Sequence, residues 1–267
     1  MFLKGVLLIL FSILNPEDLS TLIKQNVNLA FYERMEIISE RLLNTPYKES
    51  SIGEGQGVDA DPPVNLTYVD CVSFIEYVIA FANSLSIEEF ERHIRFMRYG
   101  DREISFENRM HLPDNQWFPN MLKYGYITDI TTEVGGSLAK DIKKSVNNGY
   151  FYISGVKIPS DRLIMRVVTI KYIPVSDVLK VVNKIPEFSI IRILREDSFR
   201  PYVTTHLGIV VKKKNGLYFR HSSRHFGGKV VDTPLVTYFS TFEKYENWKA
   251  LGIGVYRIND IRKKDAE

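Results

Sequence analysis

The chain reads as an α+β fold, helices first and a mostly antiparallel sheet after them, and three observations predict it. Apolar residues recur at helical spacing through much of residues 15–98. Short runs rich in β-branched and aromatic residues replace them beyond position 150. Two of these runs flank Lys212 to Gly216, where Asn215-Gly216 is a hairpin signal, so neighbouring strands run antiparallel. No internal repeat or low-complexity tract interrupts the pattern, and residues 16–267 are expected to form one domain.

The first helical pattern runs from Asn15 to about Asn44. Pro16-Glu17-Asp18 puts proline and acids in a first turn, where proline lacks only an N–H that has no partner and carboxylates meet the positive end of the dipole. Phe31 to Leu43 alternates apolar and charged groups at helical spacing. Residues 45–67 (TPYKESSIGEGQGVDADPPVNLT) are rich in Gly, Pro and Asp and lead straight into the next element, the mark of a functional loop. Asp70 to Asn83 (DCVSFIEYVIAFAN) is the strongest helix. Val72, Ile75, Ile79 and Ala82 form one stripe with Phe74, Val78 and Phe81 beside it, so this helix is apolar nearly all round and belongs at the centre. Asp70 is suited to be its N-cap. Ser86 to Phe96 follows as a second helix, with Ser86 as cap and Glu88-Glu89 in the first turn. Residues 99–130 are irregular, aromatic and polar. Strands are expected within 150–175, a short helix over Val175 to Asn183, and strands at Ile190 to Leu194, Leu207 to Val211, Leu217 to Arg220 and Gly254 to Ile258.

Of the 267 residues 45% are hydrophobic and 25% charged, which argues against disorder. The net charge of +3 comes from 35 basic and 32 acidic residues spread along the chain, so no nucleic-acid partner is expected. Lys212-Lys213-Lys214 is read as a solvated turn. The single cysteine excludes an intramolecular disulfide and a Cys-based zinc site. There is no HExxH pair and no Walker A sequence, and neither metal nor cofactor is expected. Residues 2–14 (FLKGVLLILFSIL) form an apolar run around Lys4, too short for a stable membrane span. The run fits a secretory signal peptide over residues 1–15, although no small-x-small cleavage site precedes Asn15-Pro16. With such a signal the mature protein works outside the cytoplasm.

The chemistry rests on Cys71. A thiol is a useful nucleophile when its pKa is lowered, and a helix start lowers it, because unpaired N–H groups and the dipole favour the thiolate. Cys71 falls in the expected first turn of the central helix. The same N–H groups are placed to form an oxyanion hole for a tetrahedral intermediate. The competing reading is a small buried residue packed against the sheet. A thiol also needs a base, usually histidine, and the base needs a partner that orients it. Of five histidines, His206 opens the run HLGIVV and His221 lies in LYFRHSS across the turn. A loop of two or four residues puts both on one sheet face, and the four-residue loop makes them diagonal neighbours roughly 7–8 Å apart. A three-residue loop would put them on opposite faces. The bland alternative for each is a satisfied, half-buried histidine. His225 falls on the loop beyond the strand and His93 on an exposed helix face. Arg109 to Trp117 (RMHLPDNQW) combines a cation, the His111 imidazole and an indole, a mixture that lines polar-ligand clefts or packs as a surface loop.

DCVSFIEYVIA resembles the DCVTFVE-type helix of the N-acetylmuramoyl-L-alanine amidase-like family, within the NlpC-type, papain-like cysteine hydrolases of bacterial cell walls. Other segments are similar in the same order. TPYKESSIGEGQGVDADPP resembles the family's PY…LGEG…D…P stretch, and IRFMRYGDREISFENRMHLPDNQW its RY-x-G…Y-x-x-R-x-H…W segment. THLGIVV…GLYFRHSS resembles its H-x-G-I…H-A-S hairpin, and GIGVYRI its closing strand. The resemblance spans about residues 40–258. Ser73 stands where the family has Thr, Ser222 where it has Ala, and Gly100 precedes Asp101 where the order is usually reversed.

The resemblance implies a papain-like (NlpC-type) domain in which the Cys-bearing helix packs on the sheet. By position it implies Cys71 as nucleophile, His206 as general base and His221 as the residue that orients the base. Asp70, Arg109, His111 and Trp117 become candidate substrate contacts, although capping alone accounts for Asp70. The implied reaction is hydrolysis, through a cysteine thioester and without metal or cofactor, of the amide joining N-acetylmuramic acid to L-alanine. The partners would be peptidoglycan or its muropeptide fragments, met in the periplasm or cell envelope. The rivals are a γ-D-glutamyl endopeptidase acting within the stem peptide, an acyltransferase, and a non-catalytic wall-binding module on the same fold.

Overall fold

The computed structural model describes residues 16–146, 166–196, 203–242 and 249–262. The expected signal peptide and much of the expected strand region at 150–175 lie outside the described residues. Within them, eight strands form one sheet, all neighbours antiparallel. The strands are β1 (Ile127–Asp129), β2 (Lys140–Val146), β3 (Arg166–Pro174), β4 (Ile190–Arg195), β5 (Thr204–Lys213), β6 (Gly216–Ser223), β7 (Lys229–Pro234) and β8 (Ala250–Ile258). Their order is β2-β3-β8-β4-β5-β6-β7, with β1 alongside β8. The α+β reading with an antiparallel sheet therefore holds.

Two-residue alternation divides the sheet into two buried faces. Leu207, Ile209 and Val211 of β5 join Ile190, Tyr256 and Ile258 beneath α1 (Pro16–Gln25), α2 (Phe31–Arg41), α3 (Cys71–Asn83) and α4 (Ile87–Tyr99). Val210, Phe219, Ile191, Ile253 and Val255 face the other way, against α6 (Thr131–Gly135), α7 (Val175–Val181) and α8 (Leu235–Ser240). The helical pattern over 15–44 is thus two helices, broken where Asn26 turns its amide back on Leu22 O (2.7 Å). The irregular stretch 99–130 holds a π-helical turn at Pro113–Trp117 and a short α5 (Phe118–Lys123).

α3 is fixed at both ends by side chains. The Asp70 carboxylate accepts from Val72 N–H (2.9 Å) and Ser73 N–H (2.8 Å), and Asp70 N–H donates to Ser73 Oγ (2.9 Å), a capping box with serine in the usual glutamate position. At the far end the buried Arg34 guanidinium donates to Phe81 O (2.7 Å), Ala82 O (3.2 Å) and Ser84 O, carbonyls in the last turn and at the C-cap. Between them, residues 73–83 are all buried. Glu76, in the middle of this buried run, is neutralised by Arg98 Nε (2.7 Å).

Candidate active site

The sheet opens where α3 begins. β5 and β6 meet through a two-residue turn, Lys214-Asn215, with Gly216 (φ 124°) already paired to Lys213. The turn lies one position earlier than the Asn215-Gly216 signal suggests, and Lys212 and Lys213 belong to the strand; Lys213 pairs with Asp232 (2.6 Å). Pairing between β5 and β6 runs only as far as Ile209↔Arg220. Beyond it β5 stays with β4 down to Thr204, and β6 stays with β7 as far as Ser223. The start of α3 is fastened to both parting strands. Ser222 Oγ of β6 donates to Val69 O (2.8 Å), and Leu207 N–H of β5 is hydrogen-bonded to the Cys71 thiol.

His206 adjoins Leu207, and its Nε2 lies 2.7 Å from His221 Nδ1. The two-residue turn sets the diagonal register that brings these rings together. His221 Nε2 in turn lies 3.2 Å from Thr233 Oγ1 of β7. Phe219 stacks on His221 (4.6 Å, 24° between planes), and Phe226 and Tyr238 close the box. Gly208 makes room for this floor: a Cβ there would lie 2.5 Å from the Phe219 ring. Burial holds His221 down at about 3, and burial, His221, Arg195 and His225 hold His206 well below the usual imidazole range. Both rings are therefore neutral at pH 7.

The thiol departs from the helix-start expectation. Burial, then the Asp70 charge, push Cys71 up to about 12, against which the Leu207 N–H and its own N–H pull down. The physical reason is the cap. Asp70 occupies the N–H groups of Val72 and Ser73 and sets a like charge beside the thiolate, cancelling what the helix end would supply. The expected oxyanion hole shrinks accordingly to the Cys71 N–H, the first-turn donor that Asp70 leaves uncapped.

Tyr47 is the residue that sequence reasoning missed. Its phenol is near enough to Cys71 for the thiolate charge to matter; burial first, then Cys71, Glu49 and Asp70 raise it to about 12, so it keeps its proton. Its backbone is strapped between Gly228 O (Tyr47 N, 2.8 Å) and a parallel bridge to Val69. Its one signal in the sequence is the Pro46-Tyr47 that opens the stretch resembling the family's PY…LGEG segment, a likeness that assigns the tyrosine no role.

The remaining candidates serve other contacts. Arg109 binds Asp59 (2.7 Å), Glu54 (3.3 Å) and Ile52 O (2.9 Å), pinning the loop that runs up to Tyr68. His111 lies against Phe106 and donates from Nε2 to Phe106 O (2.7 Å); burial lowers it to about 4. Trp117 is 2% exposed and its indole donates to Glu76 Oε1 (3.0 Å), a packing position and not a cleft wall. Trp117→Ala is accordingly expected to cost roughly 3–5 kcal/mol of folding stability, read as a fall in Tm; an unchanged Tm would return the indole to the cleft. His93, expected on an exposed face, is buried with Nδ1 2.7 Å from Tyr126 OH. His225 lies on the exposed turn after β6. Among the described residues no group of three or more His, Cys, Asp or Glu is set to hold a metal ion, and no helix is long and apolar enough to cross a membrane.

The model of a family described as N-acetylmuramoyl-L-alanine amidase-like matches residues 37–244. No curated protein matches the chain. Among solved structures, a Legionella pneumophila protein is similar at TM-score 0.80 and 22% identity, over 91% of this chain and 94% of that one. An N-acetylmuramoyl-L-alanine amidase of Bacteroides uniformis is similar at TM-score 0.68 and 21% identity, over 85% and 99%. A Bacteroides fragilis protein with a provisional xylanase name gives 0.66 and 23%, over 83% and 99%. At such identities these likenesses concern the fold alone.

Proposed function

The chain belongs to the N-acetylmuramoyl-L-alanine amidase-like family, and we propose that it is a cell-wall hydrolase that opens the amide between N-acetylmuramic acid and L-alanine with Cys71 as nucleophile. The observation that carries this reading is the thiol held by Leu207 N–H in the gap between β5 and β6, one residue from the His206–His221 bond. A glycosidase would need two carboxylates flanking a sugar bond. Asp70, the carboxylate beside the thiol, is instead bound to two backbone N–H groups.

One polarity of the hydrogen-bond chain leaves His206 a base toward the thiol. If His221 Nε2–H donates to Thr233 Oγ1, its Nδ1 accepts from His206 Nε2–H, and His206 Nδ1 keeps a free lone pair. As Sγ attacks the lactyl carbonyl, the thiol proton passes to His206 Nδ1 and the carbonyl pair moves to oxygen, where Cys71 N–H and Tyr47 O–H receive it. Collapse breaks the C–N bond, and His206 gives its proton to the leaving L-alanine amine. Water, deprotonated by His206, then opens the thioester, and the sulfur leaves and regains the proton. Since burial resists charge on either partner alone, proton transfer accompanies attack and no thiolate precedes it.

Tyr47→Phe is expected to lower kcat roughly 10²- to 10³-fold with KM little changed; equal loss in both would make Tyr47 a binding contact. The apolar leader over residues 1–15 fits an envelope location, where muropeptides occur. Mass spectrometry of purified muropeptides tests the reaction itself. Free sugar plus intact stem peptide is the expected product. A cut within the stem would make the chain an endopeptidase, and no cut in any muropeptide would leave a wall-binding module.

A further inference from the structure

His206 follows an irregularity in its strand, and a residue outside the sheet holds that irregularity. Leu207 and His206 of β5 pair with Arg192 and Ile193, but Leu194 pairs with Thr204, so Thr205 is an extra residue, a β-bulge. Regular alternation would put Thr204 and His206 on one face. Instead Thr204 Oγ1 accepts from Arg192 Nε (2.6 Å) on the helix face, where the guanidinium lies 3.9 Å from the Phe118 ring centre. The His206 ring packs on Phe219 and Tyr238, on the opposite face.

Asp114 clasps the bulge. It comes from the π-helical turn Pro113–Trp117, a geometry enriched at functional sites. Its carboxylate accepts from Val203 N–H, from Thr204 N–H (3.3 Å) and from the Thr204 hydroxyl, and it pairs with Arg192. Arg192 Nη1 donates onward to Tyr256 OH (2.9 Å). The Asp114 side chain is wholly buried and that of Arg192 is 3% exposed. A buried ion pair is a poor source of net stability, because desolvation opposes it, so its placement calls for another reason.

We propose that Asp114, acting through Thr204 and Arg192, is a positioning residue that fixes the bulge at Thr205 and thereby aims His206 at His221 and the Cys71 thiol. This rests on His206 as general base, but its decisive readout does not. In wild type the proton shared by His206 Nε2 and His221 Nδ1 is expected as a protected imidazole N–H signal in proton NMR. Asp114→Asn and Thr204→Val are expected to shift or lose that signal and to lower kcat at least tenfold with KM unchanged. Arg34→Met, which strips the far end of α3, is the control: it lowers Tm and keeps both signal and kcat. A signal retained in Thr204→Val, or lost equally in Arg34→Met, overturns the inference. Should Asp114→Asn fail to fold, Thr204→Val decides alone. Should wild type cleave no muropeptide, the catalytic reading falls while the NMR result still decides the positioning.

Discussion

Cys71→Ala is expected to lower muropeptide turnover roughly 10⁴- to 10⁶-fold, the range for loss of a nucleophile from a catalytic group that acts as a unit. The fold should survive. The cap bonds run from Asp70 to Val72 and Ser73, and Phe74 N–H reaches Asp70 O (3.1 Å), so none involves the sulfur. Steady-state kinetics with thermal unfolding on the same protein checks both halves; activity near wild type with an intact Tm would remove Cys71 from the nucleophile's place. Iodoacetamide alkylation of the ligand-free protein reports the resting charge. With the thiol raised to about 12, alkylation is expected to be slower than that of a free thiol at pH 7 and to climb through pH 9. Fast alkylation at pH 7 would mean a standing thiolate–imidazolium pair, with Asp70 too weak to oppose it.

What was legible in the sequence is what short segments decide. α3 announced itself by a capping aspartate ahead of an apolar run, and the His206–His221 hairpin by a turn signal between two β-rich runs. Of the strands that escaped notice, β1 has three residues, and β2 and β7 are the two ends of the strand order. β2 (KDIKKSV) carries four charges and β7 (KVVDTP) ends in proline, features that blunt an edge against further pairing and also blur its alternation. Burial was illegible for a different reason. Trp117 and His93 are inside because Glu76 and Tyr126, distant in sequence, receive them. Tyr47 depends on the strap from Gly228 and Val69. For Asp70 the cap was legible and its consequence was not. A donor bound to a carboxylate is no longer available to an anion, so the better the cap, the weaker the acidifying effect of the helix end on the thiol.

That shift of the electrostatic load from helix to histidine sets the second large effect. His206→Ala is expected to lower kcat/KM roughly 10³- to 10⁵-fold, since it removes the acceptor of the thiol proton and the donor to the leaving amine together. His221→Ala should cost less, roughly 10- to 100-fold, the worth of leaving one buried donor unpaired among Phe219, Phe226 and Tyr238. The pH profile separates the two roles. In wild type His206 lies well below the usual imidazole range, so the acid limb of kcat/KM falls below that range too. In His221→Ala water enters and the opposing neighbour is gone, so the two largest causes of the depression weaken while Arg195 and His225 remain, and the limb moves up toward the usual imidazole range. A larger loss in His221→Ala than in His206→Ala, or a limb that does not move, would exchange the roles. His221 would then take the proton from the thiol, and His206 would orient it through the bond between the two rings.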